Sequence, residues 1–453
     1  MRIVAAAAAV ALIQAALGAT AVSQPQSVPV PGASVSTLFG VSASELATVH
    51  EGRQRQAGAD DAGVLPAQPM LTYHEHDYHV AHLTSTSAVR VAVRRLDGAP
   101  MTGMSVRPLR LGIQVHTAKA EASFTVPAPA SRPYYLLVEV MGVDDKLVVL
   151  VDAPVSVPAA LAHVSIRDFG ADPTGAMDST AAIQHALDVP RTQGKPTLVL
   201  VPPGQFTVSA ALTVGSHTTL FLEAGAVIRS TADRAKLPPP PSSSCAGNLV
   251  PLVELEPGAR NVTIDGLGRL DANGFALMSK DTVGNCSAAK GWLHRRRLLT
   301  SAKPAAGASS SSAAAHADVT VRGVTLADST TWTLAIEDVD RMSVAHVKVL
   351  NHKNATIAKI ENDGIDLVST RDAAVRHCFV MTVDDAMCAK ASSTETRNNT
   401  FSDNTVFTSC AANKVCVCVC VCVCQPLPSS YYLVSSHLTA YRSESLWSCA
   451  SEC

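Results

Sequence analysis

Two short acidic clusters hold the residues best suited to chemistry in this chain. Glu361-Asn-Asp-Gly-Ile-Asp366 and Asp384-Asp-Ala-Met-Cys-Ala-Lys390 each sit where apolar and polar residues alternate, so each lies in or beside a short strand. Their separation falls in the period range of solenoid coils. If each coil adds one parallel strand, Asp363 and Asp384 become neighbours on adjacent rungs, roughly 4.8 Å apart along the stack. Asp385 follows directly, so three carboxylates converge on one patch. Like charges held this close cannot all ionise freely, and at least one keeps its proton to higher pH while another stays charged. That is the equipment of acid/base catalysis. Asn-Asp-Gly alone is an ordinary turn signal, and an Asp-Asp pair alone is usually solvated surface. The pattern gains weight because both clusters occur in order, one coil apart.

The elements that must position these acids are strands. Of 453 residues, 47% are apolar, 16% charged and only 4% aromatic, with Ala, Val, Ser and Thr dominating. That bias suits short, closely stacked strands and a globular core, and argues against disorder. The net charge of −2 gives no sign of nucleic acid or an anionic membrane surface as the partner.

Along the chain, residues 1–21 read as a secretory signal: Arg2, the apolar stretch Ile3 to Leu17, and the cleavage pattern Ala19-Thr-Ala21. Residues 22–66 are rich in Pro, Ser, Gly and Ala and read as a linker, with one short helix expected around Ser42–Arg53. Residues 67–160 hold short strands at Val89–Val93, Ile113–His116, Ser123–Val126, Tyr134–Val140 and Leu147–Val151, the pattern of a small β-sandwich. His74-Glu-His-Asp-Tyr-His79 has ligand types for a metal, but no second ligand cluster accompanies it, and it reads as a polar strand edge. A further domain, 161–413, opens with a strand, a Gly/Pro turn and an amphipathic helix whose stripe is Ala182, Ile183, Ala186 and Leu187, with Asp178 or Ser179 as N-cap. Many short apolar strands follow, which suits a parallel β-helix with a capped end. Residues 275–315, with Arg295-Arg-Arg297 and a serine run, read as a loop insertion between coils.

Several of these stretches resemble one family. Asp168-Phe-Gly-Ala-Asp-Pro-Thr-Gly-Ala-Met-Asp-Ser-Thr-Ala-Ala-Ile-Gln184 looks like the opening of pectate-lyase-superfamily β-helix enzymes, and Val201-Pro-Pro-Gly-Gln-Phe206 and Thr263-Ile-Asp-Gly-Leu-Gly268 fit the same pattern. Ser329-Thr-Thr-Trp-Thr-Leu334 resembles the Trp-containing strand that precedes the active site in polygalacturonase-like (family 28-like) glycoside hydrolases. Asn362-Asp-Gly-Ile-Asp366 and Asp384 to Lys390 are similar to that family's N-T-D-G-I-D and D-D-C-I-A-I-K motifs. The upstream sandwich is similar, more weakly, to the N-terminal domain of dextranase-like β-helix hydrolases. The resemblance implies an all-β chain, a right-handed parallel β-helix of pectin-lyase-like fold behind a β-sandwich. It implies a secreted polysaccharide hydrolase without cofactor or metal, acting as a monomer on polygalacturonan or a related glycan. Asp384 would be the general acid, and Asp363 with Asp385 would activate water, giving inversion across a carboxyl separation of about 6.5–9.5 Å. Asp366 and Lys390 would contact substrate, although Asp366 also suits a role in holding its turn, and Lys390 also suits a solvent-facing strand end.

The family's Gly-His-Gly and Arg-x-Lys motifs have no counterpart here. After Asn413 the chain turns into a Val-Cys alternation through Cys424, the translation expected of a dinucleotide repeat, so residues 414–453 read as a low-complexity stretch foreign to the fold. Of the 12 cysteines, Cys245, Cys286, Cys378, Cys388 and Cys410 precede it. In a secreted protein, Cys245 and Cys286 are placed to form a disulfide bracketing an insertion, while Cys378 and Cys388 read as buried thiols. Asn261, Asn285, Asn354 and Asn398 each open a glycosylation sequon. Two other functions fit the same features: an inactive carbohydrate-binding β-helix, and a lyase or epimerase of the same fold.

Overall fold

The computed structural model describes residues 24–46, 67–75, 78–130, 132–237, 251–278, 297–301, 315–351, 362–391, 394–418, 421–424 and 432–436. The expected signal, Cys245, Cys286, Asn285 and Asn354 lie outside them. No helix among the described residues is long and apolar enough to cross a membrane.

The N-terminal region is a sandwich of a seven-stranded and a five-stranded sheet. Val89, Val91 and Val93 alternate with Arg90 and Arg94, so one face of Val89–Arg95 is fully buried while the other carries charge. Tyr134–Val140 and Lys146–Asp152 are apolar on both faces. Leu136, Val138, Leu147 and Val149 fill the sandwich core, while Tyr135, Leu137, Val148 and Leu150 pack on Ala327, Leu350, Phe379, Met381 and Phe407 of the β-helix. Their unbroken apolar runs thus reflect burial from two sides.

The sandwich also claims residues expected to form the linker. Phe39–Glu45 is a strand, paired antiparallel with Val89–Arg95. Residues 42–45 are strand where a helix was expected to begin, because Phe39, Val41 and Ala43 alternate into the core and period two prevails over the capping-box spacing. Residues 47–53 of that expected helix lie outside the described residues.

The second domain is a right-handed parallel β-helix with three faces. Its open end is covered by the helix Thr180–Gln193, which buries Ile183, Ala186 and Leu187. Ser179 holds the N-cap position, but its hydroxyl accepts from Asp172 N–H, and Asp178 accepts from Thr180 N–H at 2.9 Å. The third face carries the acidic clusters. Its rungs are Leu212–Val214, Val253–Leu255, Leu299–Ser301, Leu334–Ala335, Ile365–Val368, Met387–Lys390 and Asn413–Cys418, each parallel to the next. Two expectations are corrected here. Leu299–Ser301, inside the expected insertion, is a rung, because Leu298 and Leu299 are wholly buried. The coil also continues past Asn413, with Lys414 paired in register to Cys388.

Residues with positive φ turn the chain at the corners, mostly Gly, Asn, Asp and His, as at His217, Asn261, Asp318, Asp372 and Asn398 on one edge. Gly266 turns at φ +109° with the Leu222 carbonyl against it; a Cβ there would lie 2.0 Å from that oxygen. The sequons at Asn261 and Asn398 fall at such exposed corners, and Asn398 Nδ2 donates to Asp372 at 2.5 Å.

Buried ion pairs tie the two domains together. Arg269 makes a two-pronged contact with Glu75 at 2.7 and 3.1 Å. Lys348, wholly buried, donates to Asp152 at 3.1 Å, and His82 and Tyr135 each contact the same carboxylate at 2.7 Å. Glu75 belongs to the stretch read as a polar strand edge, and here it is a buried partner of the β-helix.

Candidate active site

The acids gather at one edge of the third face, just before the strands Ile365–Val368 and Met387–Lys390. Ile365 pairs with Met387, a repeat one residue longer than the spacing from Asp363 to Asp384. The bonds Gly364 N–H to Asp385 O and Ile365 N–H to Ala386 O, both 2.9 Å, carry this register to the acids. Asp363 therefore stands over Asp385, and Asn362 stands over Asp384. The expected pairing of Asp363 with Asp384 is corrected by one residue. The three acids still converge: carboxylate oxygens of Asp363 and Asp385 lie within 4.8 Å of each other, as do those of Asp384 and Asp385, closer than the expected separation of about 6.5–9.5 Å.

Buried amides set the loop. Asn351 accepts from Ser329 N–H at 2.9 Å and donates to Thr333 Oγ1 at 2.8 Å. Asn362 Oδ1 accepts from the Thr382 hydroxyl at 2.9 Å and from the backbone N–H of Val383 and Asp384 at 3.1 and 3.3 Å. The oxygen of one carboxamide thus fixes the backbone at Asp384, while its buried Nδ2 has no hydrogen-bond partner among the described residues. In the sequence Asn362 stands out only as a motif letter, and the one signal of Asn351 is its place at the end of an apolar rung.

The electrostatics differ from acid to acid. Asp384 is half-buried, and burial together with the neighbouring Asp385 charge raises its pKa. Asp363 is 4% exposed; burial first, then Asp366, push its pKa up, against the pull of Lys390. Asp366 is 1% exposed and is raised by burial, again opposed by Lys390. Lys390 bridges the two, with Nζ at 2.6 Å from Asp363 and 3.0 Å from Asp366. Burial works against its charge, but the surrounding carboxylates outweigh that and hold the proton on it. Two carboxyls thus share one ammonium, so a proton on one of them leaves the other compensated. Asp366 and Lys390 were expected to contact substrate; here Lys390 bonds both Asp363 and Asp366. Asp385 is 2% exposed, with Oδ2 at 2.8 Å from Lys414 Nζ and Oδ1 without a hydrogen-bond partner.

In the next coil, Ala386 N–H donates to Ala411 O, which sets Cys410 and Ala411 beside Asp384 and Asp385, where the resemblance expects Gly-His-Gly. Cys410 is exposed and free, and burial of its sulfur and the Asp385 charge push its thiol up to about 12. Cys378 and Cys388 are free and buried. Donor atoms of Asp363, Asp385 and Cys388, and of Asp384, Asp385 and Cys410, lie close enough to share an ion, but Lys390 and Lys414 already compensate Asp363 and Asp385.

Residues 163–233 match the family model described as rhamnogalacturonase A/epimerase, pectate lyase-like. No curated protein sequence matches the chain. Among solved structures, it is similar to an exopolygalacturonase from Thermotoga maritima, at 18% identity and TM-score 0.43, covering 58% of this chain and 64% of that one. It is also similar to a family 28 exopolygalacturonase from Yersinia enterocolitica, at 16% identity and TM-score 0.40, covering 71% and 68%. A third likeness is to Dex49A from Penicillium minioluteum, at 11% identity and TM-score 0.49, covering 86% and 72%. The chain has the pectin-lyase-like parallel β-helix fold, and within it residues 163–233 carry the rhamnogalacturonase A/epimerase, pectate lyase-like pattern.

Proposed function

We propose that this protein is a secreted, monomeric polysaccharide hydrolase that cleaves glycosidic bonds by acid/base catalysis, using no cofactor. Its substrate is polygalacturonan or a related glycan. Asp384 is the general acid, and Asp363 with Asp385 activates the water. The observation that carries this reading is the arrangement of the three carboxyls: Asp363, on the Lys390 ammonium it shares with Asp366, stacked over Asp385, on Lys414, and Asp384 beside them, half-buried and raised. A glycosidase needs one carboxyl that is protonated and reachable by the leaving oxygen, and one ionised group facing water. Asp384 meets the first requirement, and Asp385, held by Lys414 on one oxygen and with no hydrogen-bond partner among the described residues on the other, is the group assigned to the second.

The test is to incubate the full chain with polygalacturonate and with neutral glycans, following reducing ends, ultraviolet absorbance and the anomer first released. Reducing ends without an unsaturated product, abolished in Asp384→Asn, support hydrolysis. An unsaturated product points to a lyase. A second reading, an inactive carbohydrate-binding β-helix, draws on Cys410 and Ala411 standing where the resemblance expects a histidine motif. Binding without turnover would favour it.

A further inference from the structure

The third face holds a second constellation next to the acids that the proposed roles leave unused. The rung pairs Leu299 with Leu334 and Leu334 with Ile365, so Arg297, Trp332, Asp363 and Asp385 fall in one column on four successive rungs. Leu298 N–H donates to the Trp332 carbonyl at 3.4 Å and Thr333 N–H to the Asp363 carbonyl at 2.8 Å, which carries the register to the column itself. The Trp332 ring has the Lys390 ammonium 3.9 Å from its centroid and the Arg297 guanidinium 4.5 Å from it. Arg297 in turn bonds Glu337 at 3.1 Å. Lys390 starts two rungs away from Trp332, so its chain reaches back across the Asp363 rung to touch the ring.

A lysine stem has four rotatable bonds and about 2 kcal/mol of rotamer entropy. Two carboxylates alone would let its ammonium move between them and out to solvent. The aromatic face removes that freedom: it offers an attractive seat for a cation at the point where the stem must end to meet both Asp363 and Asp366. Arg297, pinned by Glu337, fixes the ring. We infer that Trp332, braced by Arg297, is a positioning residue for the acid cluster, seating Lys390 so that its ammonium stays on Asp363. This inference rests on the hydrolase reading for its kinetic consequence, but its structural content does not depend on turnover.

Two measurements test it. The first is the pH profile of kcat and KM on whichever glycan is cleaved. Trp332→Leu should lower kcat about tenfold with KM nearly unchanged, since a displaced catalytic group costs rate rather than binding. It should also move the acidic limb up by roughly one pH unit, because Asp363 loses the cation that favours its ionised form. Trp332→Phe should restore most of both, and Arg297→Met should show a weaker version of the Leu effect. A rise in KM with kcat and the acidic limb unchanged would make the ring a sugar platform and overturn the inference. The second measurement needs no substrate. With Trp292 and Trp447 changed to Phe, Trp332 is the only indole, and its emission should step with pH as the carboxyls beside Lys390 titrate. Loss of that step in Asp363→Asn supports the inference, and emission that ignores pH overturns it. If no glycan is cleaved, the hydrolase reading fails while the emission result still decides this one.

Discussion

Asp363 stands over Asp385 in the coil stack, and Asn362 stands over Asp384. A difference of one residue in the repeat sorts the acids into two kinds. Asp363 and Asp385, buried, form a stacked pair, each compensated by a lysine. Asp384 is left at the edge, half-buried, with its backbone fixed by the Asn362 carboxamide.

This sorting predicts different responses to leaving group. Asp384→Asn and Asp363→Asn should each lower the rate on polysaccharide by about 10²–10⁴-fold. On an aryl glycoside with a good leaving group, Asp384→Asn should regain most of its loss, because that bond breaks without a proton. Asp363→Asn should not recover. Steady-state rates on the two substrates give the answer, and equal losses on both would remove Asp384 from the acid role.

Asp366 offers a signed prediction for pH. Its charge helps to push Asp363 upward, so Asp366→Asn should lower the Asp363 pKa. A base works above its pKa; the acidic limb of kcat/KM should therefore move to lower pH. Lys390→Met should move the limb the opposite way. A limb that stays put in both variants would show that Asp363 is not the group titrating there.

The sequence disclosed the fold through its periodicities, and the site through two motifs, but it was silent where order depends on a distant partner. The alternation of Phe39, Val41 and Ala43 was present all along, yet Pro, Ser and Gly around it outweighed that signal until Val89–Arg95 supplied the pairing edge. The acid register was missed by one because coil length is set by the corner residues, and the spacing between motifs only approximates it. Lys390 read as an exposed strand end because nothing local to it shows that Trp332, Asp363 and Asp366 converge on it. Lys348 and Glu75 were invisible for the same reason: a buried charge is legible only once its partner is placed.

The corner at Gly266 should tolerate no side chain. At φ +109° with a Cβ 2.0 Å from the Leu222 carbonyl, Gly266→Ala is strained twice over. It should cost more than the roughly 1–3 kcal/mol of backbone strain alone. Gly98→Ala, at φ +76° with nothing within 4 Å, should cost about 1 kcal/mol. Chemical denaturation of the two variants separates them, and equal midpoints would contradict the close approach.

The joint between the domains should behave as a buried ion pair. Burial alone would raise the Asp152 pKa, but Lys348 and His82 outweigh it and hold the carboxyl well below its usual range. Lys348→Met leaves that carboxylate buried without its main counter-charge and should cost about 3–5 kcal/mol at neutral pH. Asp152→Asn should cost a similar amount by stranding the ammonium. The double variant Lys348→Met/Asp152→Asn should be more stable than either single one, since no unpaired charge remains. The pH dependence follows from the sign of the shift. A carboxyl whose folded pKa is depressed stabilises the fold above its unfolded pKa, near 3.9, and loses that contribution as pH falls toward the folded value. The gap between wild type and Lys348→Met should therefore be widest at neutral pH and narrow below about pH 4. Denaturant melts of the four proteins at several pH values measure this directly. Additive losses, or a gap that does not change with pH, would mean that Lys348 contributes packing rather than charge to the joint.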